Sequence, residues 1–177
     1  FVNETFATIS THEMKVEMET GTKYMQAELS KQEILRYSRH LLLPEMGIFG
    51  QKQLKSARVL IIGAGGLGCP AATYLAAAGV GHLGLVDFDK IEASNLQRQI
   101  LFGEENIGQL KAEVAAEQLR RINQHIQVHV HPEKFDLANA QHLVDQYDVV
   151  LDGTDNFKTR YLANDAAFFG KKPYIYG

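Results

Sequence analysis

Three glycines at the spacing G-x-G-x-x-G, Gly63, Gly65 and Gly68, are the clearest chemical signal in this sequence. They follow the apolar run 59–62, which is typical of a buried strand. They precede the alanine-rich run 71–78, which predicts a helix. Glycines in this position let the chain turn tightly and let a phosphate approach bare backbone N–H groups at the start of the helix. The pattern therefore predicts a nucleotide site, without saying which nucleotide or which reaction.

Two carboxylates follow the second predicted strand. Asp87 lies 19 residues after Gly68, where an acidic side chain can accept hydrogen bonds from a pair of ribose hydroxyls. Asp89 is less specific, because its carboxylate could orient the loop, contact a metal ion or face water. A dehydrogenase would show the same glycines and the same Asp87, so these residues leave the class of enzyme open.

Polar and cationic residues further along the chain narrow the choice. The residues concerned are Ser94, Asn95, Gln97, Arg98, Lys111, Asp155 and Asn156. In an open parallel sheet the ligand lies beyond the carboxyl ends of the strands, so we expect the glycine loop, Asp87 and Asp155 to converge on one crevice. Cations and a carboxylate able to bind a metal ion around one nucleotide favour chemistry on a phosphate over hydride transfer.

The elements that must position these residues alternate between strand and helix. Predicted strands cover residues 58–62, 83–87, 126–130, 148–151 and 173–176, and predicted helices cover residues 66–78, 108–123, 137–146 and 157–169. Ser30 with Glu33 forms a capping box that opens an earlier helix running to about residues 44–47, and a short helix covers 50–55. Asp136 is predicted to cap the helix 137–146. The pattern indicates an α/β fold, a doubly wound Rossmann-like parallel sheet with N-terminal helices.

Composition indicates an ordinary globular domain. The chain has 177 residues, 45% apolar and 22% charged, and a net charge of −3, which favours neither a nucleic-acid nor a membrane partner. Its single cysteine, Cys69, excludes an internal disulfide and agrees with a cytoplasmic location; we expect it to pack rather than react. We expect residues 1–28 to be a polar extension and residues 29–177 to be the domain. Because the chain stops after the fifth strand, we expect it to be a fragment.

Six motifs in register resemble the MoeB/ThiF/HesA family, bacterial relatives of ubiquitin-activating enzymes. They are residues 36–39 (RYSR), 63–69 (GAGGLGC), 85–89 (LVDFD), 94–99 (SNLQRQ), 108–111 (GQLK) and 154–156 (TDN). The resemblance covers about residue 29 to the last residue. It implies an enzyme that uses ATP to adenylate the C-terminal glycine of a ubiquitin-like sulfur-carrier protein of the MoaD or ThiS type, in molybdopterin or thiamine biosynthesis.

The resemblance also implies a role for each motif residue. Asp87 would hold the ribose, and Asp155 would bind Mg²⁺ near the α-phosphate. Arg39 is similar to an arginine that reaches into the partner subunit's phosphate site, which implies a homodimer. Residues implied in nucleotide binding are Gly63, Gly65, Gly66, Leu67, Gly68, Asp87, Asp89, Ser94, Asn95, Gln97, Arg98, Lys111, Asp155 and Asn156. Those implied in catalysis are Arg39, Arg98, Lys111 and Asp155.

The sequence departs from the family and leaves alternatives open. It lacks the later strands and the loop that would hold the carrier protein's tail, so carrier specificity is not supported by these residues. Family members carry two C-x-x-C pairs for structural Zn²⁺, and these cysteines are absent from this chain, so zinc binding is not supported. An NAD-dependent oxidoreductase would explain the glycine loop and Asp87 but not Arg98 or Asp155. A truncated, catalytically inactive nucleotide-binding or dimerisation module is a third interpretation. A branch of the family that acts on a tRNA base is a fourth, although residues 67–70 and 94–99 are more similar to the carrier-activating branch.

Overall fold

The structure, a computed structural model, describes residues 27–177. The greater part of the predicted extension 1–28 therefore lies outside the described residues. Two units are present, one ending at Ser56 and one covering Ala57–Gly177. Among residues 27–177, no helix combines the length and the apolar character that crossing a bilayer requires.

The first unit contains three helices, α1 (Lys31–Arg36), α2 (Ser38–Leu41) and α3 (Gly47–Ser56). The predicted capping box is present: Ser30 Oγ accepts from the Glu33 N–H at 3.2 Å, and the Ser30 N–H donates to the Glu33 carboxylate at 2.8 Å. The single helix predicted from Ser30 is wrong, because Tyr37, at φ −96° and ψ 14°, leaves helical geometry and divides it into α1 and α2.

Glu33 also joins α1 to α3 within this unit. The Lys55 ammonium lies 2.8 Å from its carboxylate, which is 5% exposed. Burial by itself would raise the pKa of the Glu33 carboxyl, but hydrogen bonds from Lys55 and Ser30 outweigh it and hold the pKa below its ordinary value. The ion pair is therefore part of what fixes the two helices against each other.

The second unit is a parallel sheet with helices between its strands. In chain order its elements are β1 (Arg58–Ile62), α4 (Gly68–Ala78), β2 (His82–Val86), α5 (Lys111–Ile122), β3 (Gln127–His131), α6 (Ala140–Asp145), β4 (Val149–Asp152), α7 (Phe157–Phe169) and β5 (Tyr174–Tyr176). The strand order is β3-β2-β1-β4-β5, and every pairing is parallel. From β1 the chain adds β2 and β3 on one side of the sheet, and then β4 and β5 on the other side. An open α/β sheet binds its ligand at such a switch point, here between β1 and β4.

Helices cover both faces of this sheet, as the sequence predicted. Leu60 and Ile62 point to the side of α6 and α7 and form a core there with residues of both helices. Ile61, between them in β1, points the other way, and its Cγ2 lies 3.7 Å from the position that a Cβ on Gly68 in α4 would take. Since neighbouring strand residues face opposite sides, these contacts confirm the doubly wound α/β architecture.

Two helix starts differ from the predictions, each for a local reason. The helix predicted from 108 begins at Lys111, because Gly108 has φ +86° and the segment after β2 forms an antiparallel bridge, Lys90 to Leu110. The predicted cap at Asp136 is wrong: its carboxylate accepts from the Ala138 N–H at 2.9 Å and closes a turn. The α6 helix starts three residues later than predicted, after Asn139.

Candidate active site

Two glycines of the loop after β1 are required by its geometry. Gly63 has φ +89°, in the left-handed region that favours glycine, and its N–H donates to the Val86 carbonyl at 2.8 Å. A Cβ on Gly68 would lie 1.8 Å from the Gly63 carbonyl oxygen. The loop therefore turns back on itself so closely that α4 can begin directly at the end of β1.

The turn leaves backbone donors unused at the start of α4. The N–H groups of Gly65, Gly66 and Leu67 make no hydrogen bond to any residue in the range 27–177. They stand at the N-terminus of an 11-residue helix, where the helix dipole adds a positive potential. Such a cradle is chemically suited to an anion, and a phosphate group is the anion that glycine loops of this form accept.

Asp87, directly after β2, anchors the glycine loop. Its Oδ2 accepts from the Ala64 N–H at 2.7 Å, and its Oδ1 accepts from the Asp89 N–H at 2.8 Å. Burial raises the pKa of the Asp87 carboxyl, although these two backbone hydrogen bonds oppose the shift. Each carboxylate oxygen can accept a second hydrogen bond, so Asp87 retains the capacity to bind ribose hydroxyls that the sequence predicted for it.

Asp89 holds the cation at the start of α5. The Lys111 ammonium lies 3.0 Å from Asp89 Oδ2, and the Lys111 N–H donates to the Asp89 carbonyl at 2.9 Å. The lysine side chain is 9% exposed, whereas that of Asp89 is 51% exposed. Of the three roles considered for Asp89, orientation of the loop is the one that these contacts support. Lys111 thus presents its charge to the cleft at one fixed point.

The loop after β2 places Arg98 against the glycine loop. A Cβ on Gly66 would lie 3.1 Å from Arg98 Cδ and 3.3 Å from its Nε, so the arginine side chain lies directly on this glycine. Its guanidinium donates to the Ser94 carbonyl and to Gln97 Oε1, each at 3.2 Å, and forms no ion pair with another described residue. Arg98 therefore brings an uncompensated positive charge to the phosphate cradle.

Asn95 has a more structural environment than the sequence suggested. It lies in a short 3₁₀ turn, Ala93–Asn95, and is almost fully buried. Its Oδ1 accepts from the Glu92 N–H at 3.1 Å. This bond fixes the turn from which Arg98 extends, and the side chain still lines the cleft.

A buried carboxylate shapes the loop after β4. Asp152 is 1% exposed; its Oδ1 accepts from the N–H and the hydroxyl of Thr154, at 2.8 and 2.7 Å, and its Oδ2 accepts from the Tyr174 hydroxyl at 2.6 Å. Burial raises the pKa of Tyr174, and its hydrogen bond to Asp152 raises it further. The loop held in this way carries Asp155 and Asn156.

Asp155 and Asn156 are both exposed at the cleft. The Asn156 side chain caps α7, since its Oδ1 accepts from the Thr159 N–H at 2.9 Å. Arg160, one helical turn later, donates to the Thr154 carbonyl at 3.0 Å and to the Gly177 carbonyl at 2.6 Å. Arg160 was missed by sequence reasoning, although its place one turn after the cap residue was a signal that could have found it.

These loops enclose a cleft of about 1280 Å³ at the carboxyl ends of the strands. Predicted site residues that line it are Gly63, Gly65, Gly66, Leu67, Asp87, Asp89, Asn95, Arg98, Lys111, Asp155 and Asn156. Gly68, Ser94 and Gln97 are not lining residues: Gly68 packs beneath the loop, and the other two hold Arg98. Lining residues that the sequence did not single out include Gln99, Phe88, Arg160 and the segment 133–138 after β3.

Arg39, the remaining predicted residue, lies in α2 of the first unit and is exposed. Its side chain is one of two basic groups in the last turn of that helix. A role across a subunit boundary stays a prediction.

The residues present are compatible with Mg²⁺ as the partner of a polyphosphate. No group of three or more His, Cys, Asp or Glu side chains within residues 27–177 could hold a metal ion by itself. Magnesium, however, binds through one or two carboxylates together with substrate phosphates. The exposed carboxylate of Asp155 lines the cleft and fits that donor set.

Comparison with known proteins identifies the family. The family model described as the ThiF family matches residues 37–177. The chain belongs to the ThiF family. The probable adenylyltransferase/sulfurtransferase MoeZ of Mycobacterium tuberculosis is 55% identical over 149 residues, which are 84% of this chain and 38% of MoeZ. The adenylyltransferase and sulfurtransferase MOCS3 of Drosophila sechellia is 49% identical over 173 residues, which are 97% of this chain and 38% of MOCS3.

Solved structures agree with the ThiF-family fold. The tRNA N6-threonylcarbamoyladenosine dehydratase TcdA of E. coli, solved in complex with ATP, has a TM-score of 0.78 and 29% sequence identity, covering 84% of this chain and 61% of TcdA. E. coli MccB, solved with ATP, has a TM-score of 0.71 and 26% identity, covering 91% of this chain and 59% of MccB. The chain thus spans about two fifths of the length of its curated relatives and about three fifths of these structures.

Proposed function

We propose that this ThiF-family chain binds ATP in the cleft and carries the adenylating chemistry of its family. The substrate we propose is the C-terminal glycine of a ubiquitin-like sulfur-carrier protein, of the MoaD or ThiS type, in molybdopterin or thiamine biosynthesis. The observation that carries this proposal is the position of Arg98 directly on Gly66. A cation on the glycine loop suits a polyphosphate whose charge changes during the reaction.

The proposed reaction needs placement and charge neutralisation more than acid–base catalysis. One oxygen of the carrier's C-terminal carboxylate attacks the α-phosphorus of ATP; the bond from that phosphorus to the β-phosphate oxygen breaks, giving an acyl adenylate and pyrophosphate. The attacking carboxylate is already ionised at neutral pH, so no base has to remove a proton. The chain's contribution is to hold the phosphates in line and to balance the charge that builds on the leaving pyrophosphate.

Each group of the cleft takes one part of that task. The free N–H groups from Gly65 to Leu67 would bind phosphate oxygens, and Asp87 would accept from the ribose hydroxyls. Arg98, which lies on Gly66, and Lys111, which Asp89 holds at the cleft, would neutralise phosphate charge. Asp155 would hold Mg²⁺, which supplies further neutralisation of the polyphosphate when bound. Arg39 would act in the partner subunit's site of a homodimer.

The relatives favour a carrier-activating role over one on tRNA. MoeZ and MOCS3, both named adenylyltransferases, are 55% and 49% identical to this chain, whereas TcdA, a tRNA-modifying enzyme, is 29% identical. Family membership also favours ATP over the nicotinamide cofactor of the oxidoreductase alternative. The inactive-module alternative differs from the enzyme only in activity, so an activity assay separates them.

Pyrophosphate exchange tests the proposal. Incubated with ATP, Mg²⁺, labelled pyrophosphate and a MoaD-type or ThiS-type carrier, the chain is expected to form labelled ATP only when the carrier is present. Arg98→Ala and Asp155→Ala are each expected to lower the exchange rate by about 10²–10³, the scale seen when one charge-stabilising group is removed from an active site. Arg121→Ala and Asp145→Ala are matched controls, because both residues are exposed and lie outside the cleft.

Three outcomes would contradict different parts of the proposal. Unchanged exchange in both cleft variants would refute the roles assigned to Arg98 and Asp155. Binding of ATP without any exchange would favour the inactive module. Calorimetric binding of NAD without binding of Mg·ATP would favour the oxidoreductase.

A further inference from the structure

The side chain of Gln99 is buried at the edge of the cleft beside the glycine loop. Gln99 is 3% exposed and lines the cleft. Its backbone N–H donates to the Asn95 carbonyl at 3.0 Å, which fixes the position of the residue. Its Oε1 is shielded from water and has no hydrogen-bond partner. Its Nε2 lies 3.9 Å from the position that a Cβ on Gly65 would take.

This environment does not explain why a glutamine stands here. Neither end of its amide bonds to any described residue, so the amide neither caps a helix nor ties two loops together. Buried polar side chains in folded proteins nearly always have partners, because an unpaired one destabilises the fold. A methionine or leucine would fill the same space without that cost. Oε1 is an acceptor and stays unpaired whatever anion binds, but the amino group is not sealed from solvent and Gln99 lines the cleft. The amino group is therefore free to donate to a partner in the cleft that the protein alone does not contain.

The donors around Gln99 indicate the chemistry of that partner. The unused N–H groups of Gly65, Gly66 and Leu67 stand at the N-terminus of α4, and the Gln99 amino group lies beside the first of these residues. A glutamine amino group carries two N–H donors and no charge, so it can bind an anion at any pH. Arg98 approaches the same loop at Gly66 but is exposed. An anion in the cradle would meet a directional donor on its buried side and a cation on its exposed side.

We infer that Gln99 is a further binding residue of the nucleotide site, and that its Nε2 donates to a phosphate oxygen held next to Gly65. The inference rests on the proposed function, because it requires a nucleotide phosphate in this cleft. Gln99 orients the phosphate, while Arg98 and Lys111 balance its charge.

Replacement of Gln99 by methionine tests the inference, because methionine has a similar length but no donor. Calorimetric titration of the whole chain with Mg·ATP should show binding weakened roughly tenfold to a hundredfold, the scale of a hydrogen bond to a charged group. Titration with adenosine, which has no phosphate, should be unchanged. Urea unfolding of the ligand-free Gln99→Met variant should show unchanged or higher stability, because the substitution removes an unpaired buried amide. Gln118→Met, at a half-buried position of α5 outside the cleft, should change none of the three measurements.

A second variant keeps the test decisive if Gln99→Met does not fold. Gln99→Glu retains the size of the side chain, loses the amino donors and adds a negative charge, so it should weaken ATP binding more than methionine does. Wild-type affinity for ATP in either variant would overturn the inference. Equal weakening for adenosine would show that Gln99 contacts the nucleoside and would overturn the phosphate assignment. A folded wild-type chain that binds no ATP would refute the proposed function itself, and with it any role of Gln99 toward a phosphate.

Discussion

Gly68 and Gly66, two residues apart, are expected to respond differently to replacement by alanine. Gly68→Ala should lower the stability of the fold, and Gly66→Ala should weaken ATP binding. A Cβ on Gly68 would lie 1.8 Å from the Gly63 carbonyl oxygen and 2.9 Å from the Gly63 carbonyl carbon, whereas real Cβ atoms essentially never come within 3.0 Å of a neighbour. Both atoms belong to the backbone at the end of β1, so neither can rotate away. To admit the methyl group, α4 would have to move by more than 1 Å relative to the sheet.

The cost of that movement sets the magnitude for Gly68→Ala. Overpacking a well-packed interior by one methyl group typically costs 1–3 kcal/mol, and this contact is backbone against backbone. The better helix propensity of alanine returns about 1 kcal/mol at most. Taking the upper end of that range, we therefore expect the free energy of unfolding to fall by about 2 kcal/mol, and the thermal midpoint by roughly 4–8 °C for a chain of this size.

Gly66→Ala has a different expected result, because its neighbour can move. The added Cβ would lie 3.1–3.3 Å from Cδ, Cγ and Nε of Arg98, a long exposed side chain that yields by a few tenths of an ångström. We expect the unfolding free energy to change by less than about 1 kcal/mol, as at most surface positions. ATP binding should weaken about tenfold, because the methyl group displaces the guanidinium and covers the backbone donors beside it.

Urea unfolding followed by circular dichroism measures the first quantity, and calorimetric titration with Mg·ATP measures the second. Gly65→Ala is the matched control for stability, since its Cβ would have no neighbour nearer than 3.9 Å. The reasoning would be refuted if Gly68→Ala unfolded within about 1 kcal/mol of wild type. It would also be refuted if Gly66→Ala lost stability while its ATP affinity stayed unchanged.

Two further predictions concern the sheet. Tyr174→Phe removes the donor 2.6 Å from Asp152 Oδ2 and leaves a buried carboxylate with one partner fewer, so urea unfolding should show a loss of about 1–3 kcal/mol; Tyr176→Phe, at an exposed position, should show almost none. Burial lowers the pKa of His129 and of His131 below the ordinary value of 6.5. The folded chain therefore binds fewer protons than the unfolded chain as the pH falls through 6.5, and stability present above that pH should be lost below it. Urea midpoints measured from pH 8 to pH 5.5 should fall in wild type and fall less when both histidines are replaced by asparagine; equal slopes would contradict this.

The sequence was most informative where local chemistry decides the structure. The strand Arg58–Ile62 and the helix Phe157–Phe169 have the predicted bounds, because an apolar β-branched run and an asparagine cap are complete signals within a few residues. The parallel direction of the five strands also followed from their alternation with helices, whereas their order came from the structure. The glycine loop could be predicted because its glycines are required by the conformation and close approach of the local backbone, which the sequence spacing reveals.

Prediction failed where a second contact competes with the predicted one, a local contact at Asp136 and burial of the side chain at Tyr37. Asp136 has the residue type of a helix cap, yet its carboxylate closes a turn, and Asn139 precedes the helix. The helix expected from Ser30 to the proline region is divided at Tyr37, whose ring is buried. Gln99 belongs to the motif 94–99, but nothing in the sequence shows that its amide is buried without a partner.

The structure shows which residues hold the side chains of the sequence motifs in place. Arg98 and Lys111 could be predicted from the motifs, but the structure shows which groups hold them: Ser94 and Gln97 accept from Arg98, and Asp89 pairs with Lys111. The cations are therefore placed before any ligand arrives. A site built in this way loses less entropy on binding than one whose cations must first be ordered. Cations that are already in place suit a site that neutralises phosphate charge as that charge changes during a reaction. A site that only holds a dinucleotide does not need them. On the proposed function, Asp89 would therefore support phosphate binding through the position in which it holds Lys111, although its own carboxylate is negatively charged.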